Sequence, residues 1–234
     1  MLKVKINKYL ILLLGCFLVL KASFSQNFVE DFKKINLTYT QGSIGFNIKF
    51  DYYNDYLQKT PSYSVNGNVK IKEKMMYYKM NDIELSYDTL YTCMVDHQNK
   101  TIMIDTVFQK ANLLKNINFI DSLSQAYQSV SYKDLGDNKA EYTIYSSLPG
   151  ISHSIIVFNK TNYLIQNIAI FFLDNRENAK KNSIRNKLII KYQDINQLSL
   201  PNSVFKPSQF VTISGKKIRV KEKYKNYTLI NNIK

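Results

Sequence analysis

"SIGFNIKFDYY", residues Ser43 to Tyr53, commits this chain to β-structure. Ile44, Phe46, Ile48, Phe50 and Tyr52 alternate with Gly45, Asn47, Lys49 and Asp51. A period of two sustained over eleven residues is a β-strand with one apolar and one wet face. Strands of parallel sheets are buried on both faces, so a strand with one wet face points to an antiparallel sheet. The apolar face then needs a cover.

Strand character continues downstream. "YSVNGNVKIK" and "KMMYYKM" follow, and "YTCMVDHQNKTIMIDT" reads as a hairpin turning at His97 to Lys100. "KAEYTIY" alternates again, and "SIIVFNKTNYLIQNIAIFF" is a second hairpin, apolar on both faces, turning near Asn159 to Asn162. "NKLIIKYQDI" and "KKIRVKEKYKNY" complete the set of strands.

Helical spacing occurs twice. In "NFVEDFKKINLTY", Phe28, Phe32, Ile35 and Tyr39 form one stripe, with Glu30 and Lys34 paired four apart on the other side. In "NFIDSLSQAYQSV", Phe119, Leu123, Ala126, Tyr127 and Val130 repeat the pattern, with Asn118 placed as N-cap. The expected fold is α+β, mainly β: an antiparallel sheet of about eleven strands, its apolar inner face covered by the two amphipathic helices.

The N-terminus reads as an export signal. Lys3, Lys5 and Lys8 precede a twelve-residue apolar run from Tyr9 to Leu20, too short to span a bilayer. Ser23 and Ser25 supply the small residues of a cleavage site, so residues 1–25 are expected to be removed and residues 26–234 to form one domain. The alternative is a lipobox, Leu13-Leu14-Gly15-Cys16, with acylation of Cys16 and anchoring to the outer membrane. Bulky Leu14 and the apolar Phe17 to Leu20 favour the soluble, periplasmic form. Cleavage would leave Cys93 as the sole cysteine, flanked by apolar residues and read as a small buried hydrophobe.

The chain of 234 residues carries a net charge of +14, or +10 without the four lysines of the signal. The excess is local. Between Gln26 and Asn175 there are 14 basic and 15 acidic residues; from Arg176 onward there are 14 basic residues and three acids. Lys216, Lys217, Arg219, Lys221, Lys223 and Lys225 are the densest part, a solvated strand face or a contact for an anionic membrane or acidic partner. Nucleic acid is not expected for an exported chain without a recognition motif.

Catalytic signatures are missing. His97 and His153 are the only histidines, and Asp96-His97 lacks the further ligands that zinc needs. The sequence has no G-x-S-x-G, no P-loop and no G-x-G-x-x-G, which leaves carboxylates that meet in space, Asp82 with Glu84 for example. No enzyme activity, cofactor or metal is expected.

The order of elements, together with "VDHQNKTIMID" (Val95 to Asp105), "VFNKTNYLIQNIAIFF" (Val157 to Phe172) and "YKNYTLIN" (Tyr224 to Asn231), resembles the periplasmic outer-membrane lipoprotein carrier family, LolA-like, in its Bacteroidota-type form. The resemblance implies an unclosed half-barrel with a helical lid over an acyl-binding cavity, and a monomer carrying lipoprotein acyl chains or other lipid. The lining residues it implies are Phe28, Phe32, Ile44, Phe46, Ile48, Phe50, Phe119, Leu123, Tyr127, Ile168 and Ile170. One feature departs from the family: its lid is latched by an early arginine, and here the first arginine after the signal is Arg176, leaving Lys49 or Lys70 as substitutes. An envelope interaction module without cargo is the competing function.

Overall fold

The computed structural model describes residues 28–106, 127–174, 183–197, 199–215 and 217–233. Helix α1 spans 28–40. Then come β1 (Ser43–Tyr53), β2 (Tyr63–Lys72), β3 (Met75–Met80), β4 (Ile83–Tyr87), β5 (Tyr91–Asp96) and β6 (Thr101–Thr106). The second half holds β7 (Tyr127–Gly136), β8 (Lys139–Ser146), β9 (Ile151–Asn159), β10 (Ile165–Leu173), β11 (Ile184–Gln197), β12 (Val211–Ser214), β13 (Lys217–Val220) and β14 (Thr228–Asn231). Three short 3-10 turns, at Asn202–Phe205, Pro207–Gln209 and Glu222–Tyr224, punctuate the C-terminal part.

Twelve strands form one open sheet in the order β14-β6-β5-β4-β3-β2-β1-β11-β10-β9-β8-β7, and β12 pairs only with β13. Every pairing is antiparallel except β14 on β6, which is parallel. The mainly-β, unclosed antiparallel architecture matches the expectation, with twelve strands in the sheet rather than about eleven.

Alternation fixes which side of the sheet each residue serves. On the helix side, Phe28, Phe32 and Ile35 pack with Tyr142, Ile144, Ile156, Phe158, Ile168 and Ile170 in the largest core cluster. Burying that many large apolar side chains is the main stabilising term, each contributing about 1.5–3 kcal/mol. Helix α1 lies across the strands rather than along them. Its Phe28 meets Tyr127 of β7 and Tyr142 of β8 at 5.4 and 5.1 Å, while its Tyr39 meets Phe46 of β1 at 5.9 Å. Five strand spacings separate β7 from β1, about 24 Å, and the helix is about 20 Å long.

The strands beneath α1 are also the irregular ones. Register shifts occur at Gly45/Asn47, Ile165/Asn167, Phe171/Phe172, Phe172/Leu173, Tyr127/Ser129 and Asp134/Gly136, whereas the pairings among β2 to β6 have none. Bulges bend and twist the strand that carries them, so the devices that curve the sheet are concentrated under the helix.

A second layer covers the opposite face at the other end. Phe210, Val211 and Tyr224 bury against Cys93, Val95, Ile102 and Ile104, with Ile213, Ile218 and Val220 packed around them. The hairpin β12–β13 is thus an outer cover for β5 and β6.

Three expectations need correction. Tyr127 to Val130, drawn as the end of a second helix, belong to strand β7; Phe119, Leu123 and the rest of that segment lie outside the described residues. "KKIRVKEKYKNY" is not one strand: β13 ends at Val220 and a 3-10 turn follows, because Tyr224 turns inward to Phe210 at 5.7 Å. Asp51, assigned to the wet face, is only 1% exposed.

Candidate functional site

The helix-side face of the sheet divides into two unlike halves. Under α1 it is closed: Phe28, Phe32, Ile44, Phe46, Ile168 and Ile170 are all less than a tenth exposed. Tyr142 stacks on Phe158 at 5.5 Å, and Phe28 contacts Phe32 at 4.4 Å. Tyr127 is half-buried at the margin of this core, Ile48 at the margin of the cluster around Phe46, and Phe50 is half-buried on β1. The expected lining residues among the described ones therefore do converge on one face, and most of them are core.

Beyond β1 the same face stays closed where Ile71, Met76 and Tyr87 bury with Ile44 and Phe46, and opens along one neighbouring row. Registers place Val69 opposite Tyr78, Tyr78 opposite Leu85, Leu85 opposite Met94, Met94 opposite Met103 and Met103 opposite Ile230. This single row crosses six strands, β2 to β6 and β14. Its members are half-buried, and Ile230 at the rim is 38% exposed. Two of the six are methionines, whose unbranched side chains adapt to irregular apolar surfaces. Sequence periodicity marked the first strand of this face but not the row, because the row exists only through registers.

Polar contacts tie α1 down. The Tyr142 hydroxyl donates to Asp31 at 2.7 Å, Lys34 Nζ donates to the Tyr163 hydroxyl at 3.1 Å, and the Ile165 N–H donates to the Tyr39 hydroxyl at 3.0 Å. Burial drives the pKa of Tyr39 and Tyr142 upward, so both stay protonated and Tyr142 remains a donor. Neither lysine proposed as a substitute latch faces the helix: Lys49 pairs with Asp51 at 3.2 Å, and Lys70 lies 5.5 Å over the Tyr77 ring. Lys34, expected to pair with Glu30, is engaged by Tyr163 instead. The tie is made by tyrosine hydroxyls, which sequence reasoning missed because each joins residues more than 100 positions apart.

Two buried carboxylates sit on the outer face. Asp51 accepts from Ser64 Oγ at 2.6 Å and from Lys191 Nζ at 2.9 Å, with Lys49 at 3.2 Å. Glu84 accepts from Tyr77 at 2.8 Å, Lys79 at 3.0 Å and His97 Nε2 at 2.9 Å; the other nitrogen of His97 bonds the Tyr227 hydroxyl at 2.9 Å. Burial alone would raise both carboxyl pKa values, but the donors and lysine charges outweigh it and hold both below the ordinary range. Glu84 thus meets cations and hydroxyls, and His97 clasps the C-terminal segment to the β5–β6 turn. Cys93 is fully buried, and burial pushes its thiol up to about 12, which suits a structural residue and not a nucleophile. Among the described residues, no group of three or more His, Cys, Asp or Glu side chains is placed to hold a metal ion.

On the basic segment, Lys217, Arg219, Lys221, Lys223 and Lys225 are all exposed, while Lys216 and Cys16 lie outside the described residues. Among the described residues no helix is long and apolar enough to cross a membrane.

No protein-family model matches the sequence, and no curated protein does. Distant likenesses of fold occur among solved structures. An uncharacterized conserved protein from Thermus thermophilus aligns over 89% of this chain and 99% of its own, at 6% identity and a TM-score of 0.48. A LolA superfamily protein from Nitrosomonas europaea aligns over 77% of this chain and 97% of its own, at 8% identity and a TM-score of 0.38. MucB, in its complex with MucA from Pseudomonas aeruginosa, aligns over 83% of this chain and 63% of its own, at 8% identity and a TM-score of 0.37.

Proposed function

We propose that the protein is a non-catalytic binding protein of the cell envelope, exported by its N-terminal signal, that carries acyl chains or other apolar cargo on the helix-side face of its sheet. The row Val69, Tyr78, Leu85, Met94, Met103 and Ile230 supports this reading. A sheet face that is apolar across six strands yet only half-buried is costly to leave in water and suits a flexible apolar ligand. Each methylene removed from water contributes about 0.8 kcal/mol, so a long chain laid along the row would bind measurably. Ile48 and Phe50 extend the surface toward α1.

The close packing under α1 favours a second reading, an envelope interaction module without cargo. Native mass spectrometry of the purified protein separates the two. A co-purifying lipid adduct that persists under gentle ionisation is the result expected of a carrier; bare protein from every preparation would favour the module.

A further inference from the structure

We propose that the outward side of β13 and the turn after it is a docking surface for an anionic membrane. Lys217, Arg219, Lys221, Lys223 and Lys225 occupy every second position, and all five are exposed. Between them, Ile218, Val220 and Tyr224 turn inward and pack over Phe210 and Val211 in the outer core cluster. The spacing therefore has a structural cause: one side of the segment is bolted to the sheet, and the other presents five cations beside a single acid, Glu222. Thr212 and Ser214 of β12 stand opposite Arg219 and Lys217 in register and are exposed with them, adding hydroxyl donors beside the positive charges.

Three of these five charges are not consumed internally, while Lys223 lies 5.2 Å over the Tyr224 ring. Elsewhere on the molecule lysines meet acids: Lys49 and Lys191 meet Asp51, Lys79 meets Glu84 and Lys160 meets Asp134. In the basic segment the one acid, Glu222, pairs with Lys225 at 3.2 Å. Lys217, Arg219 and Lys221 have no acidic partner among the described residues.

The composition selects the partner. Four of the five cations are lysines, compact point charges suited to a laterally mobile phosphate surface rather than to bidentate recognition of one group. Single-stranded nucleic acid is gripped by aromatic rings that stack on bases, and the one aromatic ring within this run, Tyr224, is 5% exposed and turned inward. The hairpin also covers the face of the sheet opposite the apolar row, so docking through it leaves the proposed cargo face free. The inference stands without the cargo reading, since it uses neither the row nor α1.

The test is co-sedimentation of the full chain with phosphatidylcholine vesicles and with vesicles in which about a third of the lipid is phosphatidylglycerol, at low and high salt. Acyl cargo binding would draw the protein equally to both, because the chains are the same. The expected result is selective recovery with anionic vesicles, falling at least about tenfold at high salt and in the Lys217→Glu/Arg219→Glu/Lys221→Glu variant. A Lys133→Glu/Lys139→Glu variant at the far end of the sheet should keep most of the binding. Equal recovery with both vesicle types, undiminished binding by the triple variant, equal loss in the distant control, or tighter binding to a single-stranded oligonucleotide would each overturn the proposal. An unchanged circular dichroism spectrum of the triple variant is expected, because its inward residues are untouched.

Discussion

Among the described residues Asp51 and Glu84 are the carboxylates that the fold buries, and each sits where three donors converge. Their pKa values lie below the ordinary range in the folded protein, so the unfolded chain binds protons first as pH falls. Their stabilising contribution is complete above the unfolded-chain values, roughly pH 4, and is lost as pH drops through the lower folded values. Chemical denaturation followed between neutral pH and roughly pH 3 should therefore show stability declining at the acid end. Asp51→Asn and Glu84→Gln should each reduce stability at neutral pH and flatten that decline. A variant with an undiminished acid slope would show that the carboxylate contributes nothing through its ionisation. Ser154 offers a contrast: its hydroxyl is buried and finds no hydrogen-bond partner among the described residues. Ser154→Ala should be neutral to stabilising, by up to about 1 kcal/mol in a thermal melt.

At the scale of elements, α1 is held by an apolar stripe and by hydroxyls. Tyr39→Phe keeps the ring against Phe46 and Tyr192 but leaves the Ile165 N–H without its acceptor. Stranding a buried donor costs about 1–3 kcal/mol, and hydrogen exchange at Ile165 should accelerate while β2 to β6 stay protected. Gly67 is a second tight point, since a Cβ there would meet the Lys79 carbonyl oxygen at 3.0 Å. Gly67→Ala should lower stability by about 1–2 kcal/mol through strain between β2 and β3. Several elements were legible in the sequence. Strict alternation marked β1 from Ser43 to Tyr53, and the polar run His97 to Lys100 marked the turn between β5 and β6. The stripe Phe28, Phe32, Ile35 marked the buried side of α1. The start of β7 was misread for a physical reason. A register shift between Tyr127 and Ser129 puts Tyr127 and Val130 on the same face at a spacing of three, which imitates a helix. Asp51 was misassigned because alternation reports which face a residue occupies and not what lies over it; its cover, Lys191, comes from 140 positions away.

For the whole molecule, two covers on opposite faces of one open sheet are the defining arrangement: α1 over the bulged half and β12–β13 behind the regular half. The helix-side face of the regular half keeps its apolar row half-buried, and this asymmetry is what the proposed binding function rests on. Neither the outer cover nor the row was legible beforehand, because both depend on which strands become neighbours. The most direct measurement is titration with a fluorescent long-chain fatty acid of the wild type, Met94→Glu and Phe46→Glu. Met94 is half-buried on the row, so its charged variant should fold and lose binding at least about tenfold. Phe46 is 5% exposed in the core, so its charged variant should fail to fold. Saturable binding by the wild type with selective loss in folded Met94→Glu is the expected result. No saturable binding by the wild type, or undiminished binding by Met94→Glu, would contradict the proposed carrier function.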